Sequence, residues 1–242
     1  MRAFGALPEP NRDHEKKYPM LAGMAPPPIL ERKLTLPFDY QRKYNQKDNP
    51  ACVGVALSII MAMLNYGDTY DWMWLWQNAK DFDYVFSTQN GDNQGTTLNG
   101  GCRCLKNLGH VMIDEVFRTR MTKPNKADGI SEYRWDHNCK AIFWSISRGV
   151  PVPVATEWFP FMNYPRLVKG IYMIDDFPTT PEPLEGRHCY AIVGASTSLD
   201  LVYIAQSWGT DWPPLVGIRT GTLNKLLAKE GELAIITDRY TK

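Results

Sequence analysis

Residues 51–66, ACVGVALSIIMAMLNY, constrain this chain more than any other stretch. A helix built from them is apolar almost all round, so it must be buried on every side. Its punctuation is clear: Asn49 as N-cap, Pro50 at the first helical position, and Gly67 just past the end. The run is too short to span a bilayer, which takes roughly 20 residues. It calls instead for a domain thick enough to surround it, and 242 residues can supply one.

Other helices follow from spacing. Residues 71–80 place Trp72, Leu75, Trp76 and Ala79 on one face. This stripe reads as core rather than as a stacking platform. Beyond the polar loop 87–95, Thr96 or Thr97 can cap a third helix ending near Gly109, within which Gly100 and Gly101 permit close packing. From about 110 onward, short runs rich in Val, Ile and aromatics alternate with Gly, Pro and Asp clusters. Candidate strands are 110–118, 151–156, 188–194, 202–207 and 232–237, interrupted by a helix near 138–148. A mainly helical first half and a mainly β second half predict an α+β fold with a cleft between them. Residues 1–35, proline-broken and weakly periodic, predict an extended strap on the surface.

Composition narrows the function classes. A net charge of +1 gives no electrostatic case for nucleic acid or an anionic membrane as partner. The N-terminus becomes charged too soon for a secretory signal, which predicts a cytoplasmic protein, or one carried in a particle. Five cysteines leave at least one unpaired within the chain, and a reducing compartment is the default.

Cys52 falls in the first turn of the apolar helix, at its third position by this punctuation. Unpaired N–H groups and the positive end of the dipole there favour a thiolate, the nucleophilic form. The competing role is a buried, inert cysteine, which an apolar helix also suits. His188 opens the apolar run CYAIVG after a glycine, at a strand entry facing a loop. His14, His110 and His137 have weaker settings. No metal site is expected: Cys102 and Cys104 are two apart on a helix, and neither CxxC nor HExxH occurs. Glycine loops for a phosphate-bearing cofactor are also missing, so no cofactor is expected.

These residues fall into one pattern. Gln46 stands six residues before Cys52, and His188 stands 136 residues after it, within the roughly 130–150 usual for papain-type enzymes. HCYAIVGA at 188–195 is similar to the histidine strand of papain-like (C1) cysteine peptidases, and QSWGTDW at 206–212 to their Asn-Ser-Trp-Gly motif. LPFDYQ at 36–41, WLWQNA at 74–79 and GTTLNGGCRCLKNLG at 95–109 extend the resemblance. So does GALPEPNRDHEKKYP near the start, in the manner of bacterial and phage members without a long propeptide.

The resemblance implies a two-lobed fold, a helical lobe of about 46–125 packed against an antiparallel, β-barrel-like lobe of about 126–242. The active-site cleft would lie between them, with 1–35 as a permanent strap. It implies Cys52 as nucleophile, His188 as general base and then acid, and Gln206 as the residue orienting the imidazole. Gln46 and the Cys52 N–H would form an oxyanion hole. Gly95 and Thr96 would pair with substrate backbone, and Trp208 would keep water from the orienting residue. Three departures stand out: Gln206 replaces asparagine and is one methylene longer, Asn49-Pro50-Ala51 precedes the cysteine, and Pro213-Pro214 follows Trp212. The function implied is a thiol peptidase acting on peptides or proteins. The alternatives are a cell-wall amidase using the same dyad, or a papain-fold component of a larger assembly such as a virus particle, with protein partners in that assembly.

Overall fold

The apolar helix starts two residues later than its punctuation predicts. In the computed structural model, which describes residues 3–8, 29–65, 67–83, 95–114 and 119–239, it runs Cys52–Leu64 with Ala51 at the N-cap. Asn49 does not cap it. Its side-chain amide donates instead to the Gln46 carbonyl, and its own carbonyl accepts from Ala51 N–H in a tight turn. Cys52 is therefore the first helical residue, not the third. The far end is as expected: Gly67 has φ 96° and its N–H returns to the Ala62 carbonyl.

The elements in chain order begin with β1 (Ala6–Leu7), β2 (Glu31–Lys33), α1 (Tyr40–Lys43), α2 (Cys52–Leu64) and β3 (Thr69–Tyr70). Next come α3 (Trp72–Ala79), β4 (Thr96–Thr97), α4 (Leu98–Asn107), β5 (Met112–Asp114) and β6 (Thr119–Arg120). Asp71 caps α3 through Trp74 N–H, and Thr97 caps α4 through Gly100 N–H. α2 is enclosed by both: a Cβ at Gly54 would strike the Trp72 carbonyl, and one at Gly101 would strike Leu57. The loop expected at 87–95 lies mostly outside the described residues, as do 115–118 of the first expected strand.

The second half holds β7 (Ile130–Asp136), α5 (Cys139–Ser147), β8 (Val152–Trp158), β9 (Arg166–Val168), β10 (Ile171–Ile174) and β11 (Gly186–Ser196). It ends with β12 (Leu201–Ala205), β13 (Val216–Arg219), α6 (Thr220–Ala228) and β14 (Glu232–Asp238). The strands form one sheet in the order β7-β14-β8-β11-β12-β13-β10-β9, with β2 added to the far half of β11. All pairings are antiparallel except β10 with β13. Sequence reading missed β7, β9, β10, β13 and α6; β9 and β10 are short and partly exposed, with little alternation to betray them.

Period-2 alternation gives this sheet two cores. Ala155, Cys189, Ala191 and Val193 pack with α2, while Val154, Tyr190 and Ile192 pack with residues of α5 and α6 such as Ile142 and Leu223. The α2-facing side chains are small, so the helix axis can lie close to the sheet. The architecture is α+β, with helices flanking a large, mostly antiparallel sheet. No helix among the described residues is long and apolar enough to cross a membrane.

Candidate active site

Helix α2 presents Cys52 at its N-terminus to β11. The backbone N–H groups of Cys189, Gly5 and Val53 near the Cys52 sulfur favour its thiolate. Burial nevertheless dominates and pushes the thiol up to about 11, so the helix dipole does not by itself make a thiolate here. The side chain has no exposed surface.

His188, also fully buried, follows Gly186-Arg187 at the start of β11. Its Nε2 lies 2.5 Å from Gln206 Oε1, just past the end of β12. An amide oxygen only accepts, so Nε2 carries the hydrogen and Nδ1 is the nitrogen left for acid–base work. The Trp208 indole stacks on the imidazole at 4.4 Å between centroids, and Trp158 meets it edge-on at 5.1 Å. Trp208 thus covers the imidazole itself.

The loop bearing Gln206, Ser207 and Trp208 is tied to the helical side. Gln46 N–H donates to the Ser207 carbonyl at 2.8 Å, and Ser207 Oγ donates to Gln46 Oε1. Gln41 Nε2 donates to the carbonyls of Gly209 and Trp212, and the Tyr40 hydroxyl donates to that of Pro214. The prolines that depart from the family pattern therefore still offer an anchor. Gly209 has φ 65°, and a Cβ there would strike Asn45 Nδ2.

With Gln46 Oε1 held by Ser207, its Nε2 points into the cleft. There it donates to the Ala3 carbonyl at 2.7 Å as well as to Asn49 O. The acceptor belongs to the chain's own N-terminus. Residues 3–7 run through the cleft rather than over the outer surface as expected of the strap. Thr96 N–H donates to the Gly5 carbonyl at 2.9 Å, and β1 continues parallel to β4 with Ala6 opposite Thr96. Phe4 lies edge-on to His188 and Trp208, each at 6.1 Å. The passage is narrow: a Cβ at Gly5 would come within 1.9 Å of the Pro50 carbonyl, and one at Gly95 within 1.8 Å of the Gly5 carbonyl. Residues 9–28 lie outside the described residues.

β4 is itself fixed from behind. Asp83 accepts from the hydroxyls of Thr96 at 2.6 Å and Thr97 at 2.5 Å. The structure thus brings Cys52, His188, Gln206, Gln46, Gly95, Thr96 and Trp208 around one cleft. Sequence reading missed Trp158, Asp83, Ser207 and the passage of Ala3–Gly5 through the cleft. Among these only Ser207 carried a signal, lying inside the QSWG motif. His110 lies apart, buried between Ser58, Tyr70 and Trp74. No group of three or more metal-ligating side chains occurs among the described residues.

No protein-family model matches the sequence, and neither does any curated protein. Solved structures do. A cysteine protease from Xylella fastidiosa, xylellain, superposes with a TM-score of 0.71 at 15% identity, covering 97% of this chain and 96% of that one. The digestive procathepsin L 3 of Tenebrio molitor larval midgut gives 0.60 at 10% identity, covering 98% and 76%. The procathepsin B S9 of Trypanosoma congolense gives 0.55 at 12% identity, covering 97% and 86%. The chain has the papain-like fold.

Proposed function

We propose that this chain is a papain-type cysteine peptidase that hydrolyses peptide bonds through Cys52 and His188. The observation that carries the reading is the strap itself: Gln46 Nε2 already holds a peptide carbonyl, that of Ala3, beside Cys52. A substrate carbonyl in its place would have an amide donor for the charge that develops on oxygen. His188 Nδ1 would take the Cys52 proton, leaving a thiolate to attack the carbonyl carbon. The same nitrogen would then protonate the departing amine. Gln206 would hold the ring in that tautomer, and Trp208 with Trp158 would keep water from the contact. Gly95 and Thr96 would take the substrate backbone where the strap now pairs.

A filled cleft also fits a protein that only binds or scaffolds. The self-covered arrangement fits a resting enzyme better, because the strap engages Gln46 and Thr96 through main-chain groups that any peptide could supply. Labelling with an epoxide thiol probe, alongside turnover of a fluorogenic peptide library, tests the proposal. Selective labelling of Cys52 and turnover abolished in Cys52→Ala are expected. Equal reactivity of all five cysteines with no turnover, in a chain freed of its strap, would overturn it.

A further inference from the structure

Trp158, the last residue of β8, has no exposed surface. Its ring lies 5.1 Å from His188 and 5.2 Å from Trp208 between centroids, at 74° and 88° to them. It therefore stands edge-on to the imidazole and to the indole stacked upon it. Phe4 of the strap meets the same stacked pair edge-on. Of these two flanking rings only Trp158 belongs to the sheet, so it alone stays when the strap leaves. A buried indole N–H needs an acceptor. Trp158 Nε1 donates to Asn163 Oδ1 at 2.9 Å, and Asn163 Nδ2 donates to Glu185 Oε2 at 2.6 Å. The circuit closes through the main chain, where Glu185 N–H donates to the Trp158 carbonyl at 3.1 Å and Gly186 pairs with Trp158. Asn163 ends the short turn Pro160–Asn163 beyond β8, and Glu185 immediately precedes β11, the strand that bears His188. The peptidase reading gives neither Asn163 nor Glu185 a task.

We infer that Asn163 is a positioning residue for His188: it fixes the angle of the Trp158 indole, and that ring in turn sets the tilt of the imidazole. This rests on the reading of His188 as the acid–base group. The amide can face only one way. An indole N–H only donates, so it needs the amide oxygen, and a carboxylate only accepts, so Glu185 needs the amide nitrogen. Flipping Asn163 would lose both hydrogen bonds. The need for such a support follows from the other contacts of His188. Gln206 holds the imidazole at the single atom Nε2, about which the ring can still swing. Trp208 limits that swing on one face. Trp158 supplies the third contact, and packing alone would let its own ring slide against Tyr190 and Trp212, at 5.9 Å and 6.2 Å. The hydrogen bond to Asn163 selects one position for it.

The test follows the ring resonances of His188 by NMR in the full chain, alongside kcat and KM on a fluorogenic peptide. Asn163→Leu should shift the His188 resonances and lower kcat about tenfold with KM unchanged, a displacement of about 1 Å costing on the order of a hundredfold. Trp158→Phe keeps an aromatic ring but has no N–H to fix, so adding Asn163→Leu to it should have almost no further effect. Unmoved His188 resonances in Asn163→Leu overturn the inference. So does an equal loss from Asn163→Leu with either tryptophan or phenylalanine at 158, since Asn163 would then act by another route. Should Asn163→Leu fail to fold, Glu185→Ala, at an exposed position, unties the amide from its far side and should move the same resonances in the same direction. The resonances need no turnover. A chain without peptidase activity would sink the peptidase reading and still decide this one, and an active chain with unmoved resonances would do the reverse.

Discussion

His188 and Gln206 meet at 2.5 Å between Nε2 and Oε1, although Gln206 stands where the papain pattern has a shorter asparagine. The extra methylene does not put the amide oxygen out of reach, because Gln206 directly follows the last residue of β12 and Ser207 is pinned to Gln46. Shortening this side chain should withdraw the oxygen, since the main chain on either side is held. Gln206→Asn and Gln206→Ala are both expected to lower kcat by about ten- to a hundredfold with little change in KM, the loss typical of a misplacement of about 1 Å. Steady-state kinetics on a fluorogenic peptide checks this. An Asn variant more active than the parent would mean that glutamine holds the ring badly.

Gly5 is the tightest point of the strap, and alanine there would collide with the Pro50 carbonyl. Gly5→Ala should therefore lift the segment and wet Cys52. If the thiol falls from about 11 toward its ordinary value near 9, the thiolate fraction at neutral pH rises about a hundredfold. Lower basicity costs about half of that gain on a logarithmic scale. Alkylation of Cys52 by iodoacetamide should accelerate about tenfold, with Cys104 as an internal control that stays slow. An unchanged Cys52 rate would mean that the strap does not control access.

Gln46 is the side-chain donor aimed at the carbonyl, and it is fixed through its oxygen by Ser207. Gln46→Ala is expected to cut kcat by about 10²–10³, the loss seen when one oxyanion donor is removed. Labelling of Cys52 by an alkylating probe should change far less, because alkylation develops no oxyanion. Parallel loss of both would point to collapse of the cleft rather than loss of a donor.

What the sequence made legible here divides along physical lines. α2, α3 and α4 were readable because caps and apolar spacing are local; only the start of α2 moved, since Asn49 found a better partner in Gln46. β8, β11, β12 and β14 were readable because buried strands are apolar runs. The resemblance drew Cys52, His188, Gln206 and Gln46 to one site, and they lie around one cleft. The strap was legible as an extended segment, but its path through the cleft was not. Nothing in Ala3-Phe4-Gly5 states which surface it will meet, and its fit depends on Pro50, Gly95 and Gly186, far away in sequence. Nor was the balance at Cys52, where helix-end position and burial act in opposite directions and only the structure shows which is larger.

His110 gives the protein a pH dependence separate from the candidate active site. It is fully buried, Nδ1 accepts from Val111 N–H, and Nε2 donates to Ser58 Oγ at 2.8 Å, so the neutral ring is satisfied on both sides. Burial lowers it from 6.5 to about 3. Between those values the unfolded chain binds a proton that the folded chain refuses, so stability falls as pH drops. The contribution is complete above 6.5 and is lost progressively down to about 3. From pH 7 to pH 5 the loss from this group approaches about 2 kcal/mol, at 1.36 kcal/mol per unit. Urea unfolding at the two pH values should show that difference shrinking by about this amount in His110→Gln, which cannot be protonated. The variant should be weaker at pH 7 for want of the ring's packing on Tyr70 and Trp74, so the slope with pH, rather than the absolute stability, is the quantity to compare. An unchanged slope would mean that the acid sensitivity resides in other groups.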